Sequence, residues 1–135
     1  MYIVCARAHY DSAHALRSYK GKGEKLHGHR YLVEAAVGTE ELGEGGMAFD
    51  FIELKGHLRA IAEYLDHENL NELPPFDMLE TSAENQARYF HDELRRRLPP
   101  ELRDALLWTR VWETPSQWAQ YSDRPLPVHA SPSTG

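Results

Sequence analysis

The hydrophobic pattern changes its period along the chain, and the order of these changes restricts the fold more than any other feature. Apolar residues alternate over residues 2–14 and again over 27–37, which is typical of strands. Over residues 51–65 the apolar spacing becomes three and four, which predicts a helix. A second helix is predicted to begin at Thr81 and to end before the two prolines at 99 and 100.

Both predicted helices begin with a capping pattern. Asp50 is followed three residues later by Glu53, and Thr81 is followed at the same spacing by Glu84. In a capping box the first side chain accepts a backbone N–H, and the acid reaches back to the cap. These residues therefore need no role beyond starting the two helices.

Two further strands are predicted at 105–113 and 117–122, joined by a short turn that contains Pro115. The order strand, strand, helix, helix, strand, strand predicts an α+β fold, with an antiparallel four-stranded sheet and both helices on one face. Such a sheet has two unpaired edges. Edge pairing between subunits is therefore expected.

The size of the chain, 135 residues, favours one domain, which we assign to residues 1–122. Residues 123–135 are rich in Pro, Ser and Thr and are expected to form a flexible tail. The start of the chain lacks the pattern of a secretory signal, and Cys5 is the single cysteine. We expect a soluble cytoplasmic protein without disulfides, with Cys5 buried in the first strand.

The formal net charge of −6 argues against nucleic acid or an anionic membrane as a partner, because both require a basic surface. One loop is locally basic and contains a single acid, Glu24; its basic residues are Arg17, Lys20, Lys22, Lys25 and Arg30. A phosphorylated metabolite could bind there. Lysines that only keep a surface loop solvated are the alternative.

Two histidines, His27 and His29, flank a glycine in the second strand pattern and should project from the same face. His14 ends the neighbouring strand of the predicted hairpin. Three imidazoles suit zinc and leave a fourth coordination position open, as in catalytic zinc sites. The alternative is that His27 and His29 are surface residues and His14 is a core histidine.

The other histidines lack this arrangement. His57, His91 and His129 are expected on the surface, the first two on helices and the last in the tail. His9 has the opposite strand parity from Tyr10 and is left unassigned.

Six ordered blocks, YDSAHAL, EKLHGHRY, FDFIELK, YLDHENLN, TSAENQA and WETPSQWAQY, resemble the family of 6-pyruvoyl tetrahydropterin and 6-carboxytetrahydropterin synthases. The resemblance covers residues 2–122. It implies the tunnelling fold, a ββααββ subunit whose trimers form barrels that stack into homo-hexamers with sites at subunit interfaces. It also implies 7,8-dihydroneopterin triphosphate as the substrate.

The resemblance also implies roles for individual residues. His14, His27 and His29 match the zinc ligands. Glu113 matches the glutamate that binds the pterin ring, and a carboxylate can accept the two adjacent N–H donors of a pterin. Asp66 and His67 match an aspartate and a histidine of the catalytic group, in which the imidazole transfers protons.

One position departs from the family pattern. The synthases carry a cysteine four residues before the first histidine of HGH, and here that position is Gly23. Glu24 follows it, and the spacing Glu-x-x-His-Gly-His resembles a subgroup that serves folate synthesis. That subgroup cleaves the substrate side chain to give 6-hydroxymethyl-7,8-dihydropterin, with Glu24 as the expected base.

Three functions therefore remain open at this stage. The first is the zinc-dependent lyase of the folate type. The second is the 6-pyruvoyl or 6-carboxytetrahydropterin synthase reaction of the biopterin or queuosine pathway, which the missing cysteine opposes. The third is a pterin-binding homologue without catalysis, which would have no reason to keep an acid at Glu24.

Overall fold

The computed structural model describes residues 1–125 and contains both predicted helices and all four predicted long strands. These elements are β1 (Tyr2–His14), β2 (His27–Thr39), α1 (Phe51–Leu65), β3 (Glu68–Asn69), α2 (Ala83–Arg97), β4 (Leu106–Thr114) and β5 (Gln117–Tyr121). Short 3-10 turns lie between several of them. The α+β class is confirmed.

The sheet has five strands in the order β3-β1-β2-β4-β5. The four predicted strands pair antiparallel, as expected, but the predicted number of strands was wrong. The added strand, β3, is two residues long and pairs parallel with β1 at Ser12 and Ala13. It forms because His67, after α1, adopts a left-handed backbone conformation (φ 59°) and donates its N–H to the Asp11 carbonyl at 2.6 Å. This contact lays the next residues along β1.

Both helices cover one face of the sheet and form the core with it. β1 contributes Ala6, Ala8 and Tyr10 to that core, as the alternation predicted. Tyr2 has the same parity but is half exposed, because the helices do not extend over the start of the strand. Further core side chains come from the helices and from β2 and β4, among them Leu54, Leu58, Leu65, Phe90, Leu94, Val33 and Val111.

The N-terminus of α2 lies two residues later than predicted. Ser82, not Thr81, is the N-cap, and its hydroxyl accepts the Asn85 N–H at 3.2 Å. Thr81 is fully buried and lies before the helix. At α1 the predicted cap is correct, since Asp50 accepts the Ile52 N–H at 2.8 Å.

Cys5 is exposed, so the expectation of a buried thiol was wrong. Its neighbours Val4 and Ala6 point toward the core, and the alternation of β1 turns Cys5 to the face that the helices leave uncovered. Burial of part of the side chain still raises the pKa of the Cys5 thiol, so the group remains a neutral thiol near pH 7.

The end of the described chain packs against α2. Asp123 contacts the Arg95 guanidinium at 3.1 Å, and Arg124 donates to the Asp104 carbonyl at 2.7 Å. The expected tail begins at residue 123; its remaining part, 126–135 with His129, lies outside the described residues. No helix among residues 1–125 is long and apolar enough to cross a membrane.

His91 is fully buried on α2, which contradicts its predicted surface position. Its ring packs edge-on against Tyr121, and the Asp123 carboxylate lies 3.9 Å from Nε2. The strand β5 and the segment after it cover this part of the helix, which the helical pattern alone did not show. Burial lowers the pKa of His91, although Asp123 and Asp92 oppose the shift; the positive charges of Arg95 and Arg124 act in the same direction as burial.

The buried imidazole predicts a pH-dependent contribution to stability. The pKa of His91 is lower in the folded chain than in the unfolded chain, where it is about 6.5, so the unfolded state binds more protons. The contribution is present above pH 6.5 and is lost as the pH falls through the folded-state value. As the pH is lowered from 7.5 to 5.5, we expect the free energy of unfolding, measured with urea, to fall less in His91→Leu than in the parent. His9→Leu, at an exposed site, serves as the control, and parallel pH curves for His91→Leu and the parent would contradict the assignment.

Candidate metal and pterin site

Three histidines meet at one end of the β1–β2 hairpin, as predicted. The antiparallel register places His14 opposite His27 and Ser12 opposite His29, with no irregularity along the pair. The side chains point to the helix-covered face. Each ring offers one ligand nitrogen, and these three nitrogens all lie within 4.8 Å of one another. The ring centroids are 4.8 to 5.4 Å apart.

Two of these rings are oriented by backbone carbonyls. The Nδ1 atom of His14 lies 2.9 Å from the Thr81 carbonyl oxygen, and Nδ1 of His27 lies 2.7 Å from that of Lys25. A carbonyl can only accept, so Nδ1 must carry a proton, and in the neutral ring Nε2 then carries the lone pair. Metal-binding histidines typically have such an acceptor behind the ring.

The donor set fits a zinc ion. Nε2 of His14 and Nε2 of His29 are buried, and neither has a hydrogen-bond partner in the part of the chain described. Buried nitrogens normally have a partner, and a metal ion would provide one here. Burial lowers the pKa of His29, with Glu113 and Glu24 acting in the opposite direction, and the neutral imidazole is the form that binds metal. Three imidazoles would leave one coordination position for a substrate oxygen.

Glu113 lies beside this cluster near the end of β4. Its Oε2 atom is 3.3 Å from His14 Nε2 and 3.8 Å from His29 Nε2. The preceding residue, Trp112, pairs with Leu32, which places Glu113 on the same sheet face as the histidines. Its carboxylate adds negative charge where a cation would bind.

Two cavities open from the cluster and share Gly28, His29 and Arg30. One has a volume of about 590 Å³ and includes Leu32, Trp112 and Glu113 in its wall. The other, about 520 Å³, includes Asp11 and His67. The sequence suggested that Gly28 leaves room between the two histidines, but a side chain at this position would point to the opposite face of the strand and would meet the Ser12 carbonyl oxygen, at 3.7 Å. A flat heterocycle could lie in the first cavity with a substituent directed at the histidines.

Asp66 and His67 lie together at the edge of β1. Asp66 accepts the Asp11 N–H at 2.8 Å with one oxygen and contacts His67 Nδ1 at 2.9 Å with the other. These hydrogen bonds, that from Asp11 first, lower the pKa of Asp66, so it is ionised and orients the imidazole. His67 is exposed and borders the same cavity as His29.

Glu24 is tied to the end of β1. Its Oε1 accepts the Leu16 N–H at 2.9 Å, and its own N–H donates to the Leu16 carbonyl at 2.8 Å. It makes no hydrogen bond to the three histidines within residues 1–125, although its charge is among those that act on the pKa of His29. The structure thus places Glu24 next to the cluster without direct contact.

Arg17, in the predicted basic loop, has a structural role. Its guanidinium donates to the carbonyls of Leu79, Asn71 and Phe76 at 2.7 to 3.0 Å. Through these hydrogen bonds the Arg17 guanidinium holds the segment before α2 in place. The remaining basic residues of the loop, Lys20, Lys22, Lys25 and Arg30, are exposed.

Two residues of the site were missed by the sequence analysis. Thr81 was explained as a helix cap, and Gln86 was not considered, but both are buried behind His14. One signal could have found Gln86. It lies four residues before Phe90 on the inward face of α2, where a polar side chain is unusual.

Comparison with known proteins agrees with the fold. The sequence matches the family described as 6-pyruvoyl tetrahydropterin synthase over residues 3–124. The chain belongs to that family. Its relatives are named as synthases and an aldolase, and this chain is likewise a lyase-type enzyme of the family, acting on a pterin.

Several curated relatives illustrate the range of the family. A dihydroneopterin monophosphate aldolase from Pyrococcus furiosus is 33% identical over 82% of this chain and 88% of its own length. A 6-pyruvoyl tetrahydrobiopterin synthase from Dictyostelium discoideum is 30% identical over 88% of this chain and 94% of its own length. A 6-carboxy-5,6,7,8-tetrahydropterin synthase from Aquifex aeolicus is 29% identical over 73% of this chain and 74% of its own length.

Solved structures share the fold at lower identity. The 6-pyruvoyl tetrahydropterin synthase of Caenorhabditis elegans superposes with a TM-score of 0.75 at 24% identity, covering 92% of this chain and 98% of the other. That of Plasmodium falciparum superposes with a TM-score of 0.73 at 22% identity, covering 89% of this chain and 96% of the other. Both support the mixed α+β architecture.

The histidine cluster predicts one zinc ion per chain. We expect His29→Ala to lose zinc, because two remaining imidazoles rarely bind the ion tightly. Elemental analysis after dialysis against a weak chelator measures the content, with circular dichroism to confirm folding. His9→Ala, exposed and of opposite parity on β1, should keep full occupancy. Full occupancy in His29→Ala would refute the ligand assignment.

Proposed function

We propose that this enzyme is a zinc-dependent lyase that cleaves the side chain of 7,8-dihydroneopterin triphosphate to give 6-hydroxymethyl-7,8-dihydropterin for folate synthesis. The observation that carries the proposal is Glu24, an acid fixed at the end of β1 beside three histidines suited to zinc. A base next to a metal-bound hydroxyl is what such a cleavage requires.

The pterin ring is proposed to bind in the cavity of about 590 Å³ beside Trp112 and Leu32. The Glu113 carboxylate, in the wall of that cavity, would accept the ring N–H and the exocyclic amine together. Since Glu113 also lies 3.3 Å from His14 Nε2, a ring held by it would direct its side chain to the histidine cluster.

The bound zinc would lower the pKa of a hydroxyl on the substrate side chain, as it does for water. Glu24 would take the proton from the hydroxyl of the carbon that leaves. One oxygen of Glu24 accepts the Leu16 N–H, and a carboxylate has a second oxygen that can accept this proton. A carboxylate is a weaker base than a thiolate, which suits a hydroxyl proton better than a carbon-bound one.

Loss of that proton leads to cleavage between the two hydroxyl-bearing carbons. The leaving carbon becomes an aldehyde that keeps the phosphates, and the electron pair of the broken bond moves into the ring imine. A proton must then return to the carbon that stays on the ring. His67, oriented by Asp66 and next to the second cavity, is suited to supply it.

The similarity to a protein named dihydroneopterin monophosphate aldolase supports side-chain cleavage. Because that name specifies the monophosphate, dihydroneopterin monophosphate should be tested as a substrate beside the triphosphate. The similarity to 6-pyruvoyl and 6-carboxytetrahydropterin synthases favours a second candidate, the synthase reaction. Gly23, at the position where those enzymes carry a cysteine, counts against it.

We also propose a cytoplasmic homo-hexamer, built as a dimer of trimers with sites at subunit interfaces. In the single chain, β5 forms one edge of the sheet, and the short β3 covers β1 only near Ser12 and Ala13. Among the residues described, 1–125, most of β1 is therefore left with an unpaired edge, and strand edges of this kind favour pairing between subunits.

Glu24→Gln tests the reaction. We expect zinc and pterin binding to remain and turnover to fall about a hundredfold or more, the usual scale for a general base. Chromatography of the products from the triphosphate and the monophosphate measures both rate and identity. Glu40→Gln, a surface acid at the far end of the hairpin, is the control. Near-normal turnover in Glu24→Gln, a pyruvoyl or carboxy product, or no product from the parent would each overturn the proposal.

Glu113→Gln tests the pterin position. We expect weaker pterin binding with unchanged zinc content, because an amide presents one acceptor where a carboxylate presents two. The loss should be about 1.5 to 3 kcal/mol, roughly tenfold or more in affinity. Titration of a non-reactive pterin, followed by fluorescence, measures it. An unaltered affinity would show that Glu113 does not bind the ring.

A further inference from the structure

A chain of buried hydrogen bonds connects the core to the back of His14. The Tyr10 hydroxyl donates to Gln86 Oε1 at 2.6 Å, and Gln86 Nε2 donates to the Thr81 carbonyl at 2.9 Å. The same carbonyl accepts from His14 Nδ1 at 2.9 Å. All four residues are at most 1% exposed.

Each atom in this chain has a fixed role. The Thr81 carbonyl can only accept, so the amide nitrogen of Gln86 must face it, and Oε1 must face Tyr10. The neutral His14 ring must then hold its proton on Nδ1 and present the Nε2 lone pair to the cluster. The donor and the acceptor in each of these hydrogen bonds thus follow from the Thr81 carbonyl.

The Thr81 carbonyl is available because of where α2 begins. The helix starts at Ala83 with Ser82 as its cap, and the Asn85 N–H is taken by the Ser82 hydroxyl. The Thr81 carbonyl is therefore outside the helical hydrogen-bond pattern. Within residues 1–125, only Gln86 and His14 donate to this carbonyl. The Thr81 hydroxyl is a further contact of His14 Nδ1, at 3.2 Å.

We infer that Gln86 is a positioning residue for the metal site: it holds the Thr81 carbonyl so that His14 presents Nε2 to the zinc. Gln86 does not touch the ion or the substrate. An apolar residue of similar size would fill its space in the core but would leave the Tyr10 hydroxyl without an acceptor and the carbonyl free to turn. The inference rests on the zinc site of the proposed function.

Zinc affinity of the full-length protein, measured without substrate by competition with a chelating dye, tests this role. Gln86→Met should weaken zinc binding about tenfold or more, the usual effect of removing an outer partner of a metal ligand. Gln120→Met is the matched control, because Gln120 bonds Arg110 on β4 and has no part in this chain. Wild-type affinity in a folded Gln86→Met protein would overturn the inference.

Tyr10→Phe provides a second test that does not depend on the folding of the first variant. We expect a smaller loss of zinc affinity, and no further loss when it is combined with Gln86→Met, because both changes break one chain. Tyr64→Phe, which removes a hydroxyl that donates to the Pro74 carbonyl elsewhere, is its control. Unchanged affinity in Tyr10→Phe, or additive losses in the double variant, would contradict a connected chain.

The ring nitrogens give a readout that simple loss of stability would not produce. In metal-free protein the ¹⁵N shifts of His14 should show the Nδ1–H form, and Gln86→Met should show a mixture of both neutral forms. An unchanged His14 spectrum in Gln86→Met would overturn the role. If the parent bound no zinc, the proposed function would fail instead, so the two failures are distinguishable.

Discussion

The register of the β1–β2 hairpin is the constraint on which both the core and the candidate site depend. It pairs Tyr2 with Thr39 at one end and His14 with His27 at the other, without a bulge. A shift by one residue would turn every side chain of a strand to the opposite face. Such a shift would expose Tyr10 and separate the three histidines at once. Burial of Tyr10 and the meeting of the three histidines therefore require the same register.

The segment after β1 is held by several side chains. Asn71 bonds both the N–H and the carbonyl of Ala15, Glu24 accepts the Leu16 N–H, and the Glu80 carboxylate accepts the N–H groups of the next two residues. These contacts fix the chain directly after His14. The proposed base, Glu24, thus also helps to hold the segment that follows the metal ligand, so its carboxylate is positioned before any substrate binds.

The polar chain behind His14 lies within an otherwise apolar core. Buried polar groups destabilise a core unless each has its partner, and here Tyr10, Gln86 and Thr81 provide partners for one another. Such a network permits one arrangement of donors and acceptors rather than many. The network gives His14, the proposed metal ligand, a rigid orientation. It also makes this part of the core sensitive to substitution.

Periodicity and spacing in the sequence determined the helices, the long strands and the face shared by His27 and His29, because these depend on residues near in the chain. Tertiary structure alone decided which distant groups meet. Thr81 lies 67 residues from His14 and became its acceptor because α2 begins two residues after it. His91 became buried under β5, and β3 formed against β1, through contacts that no local pattern contains. The sequence thus specified the three histidines proposed as ligands, whereas the packing of α2 on the hairpin specified how His14 is held.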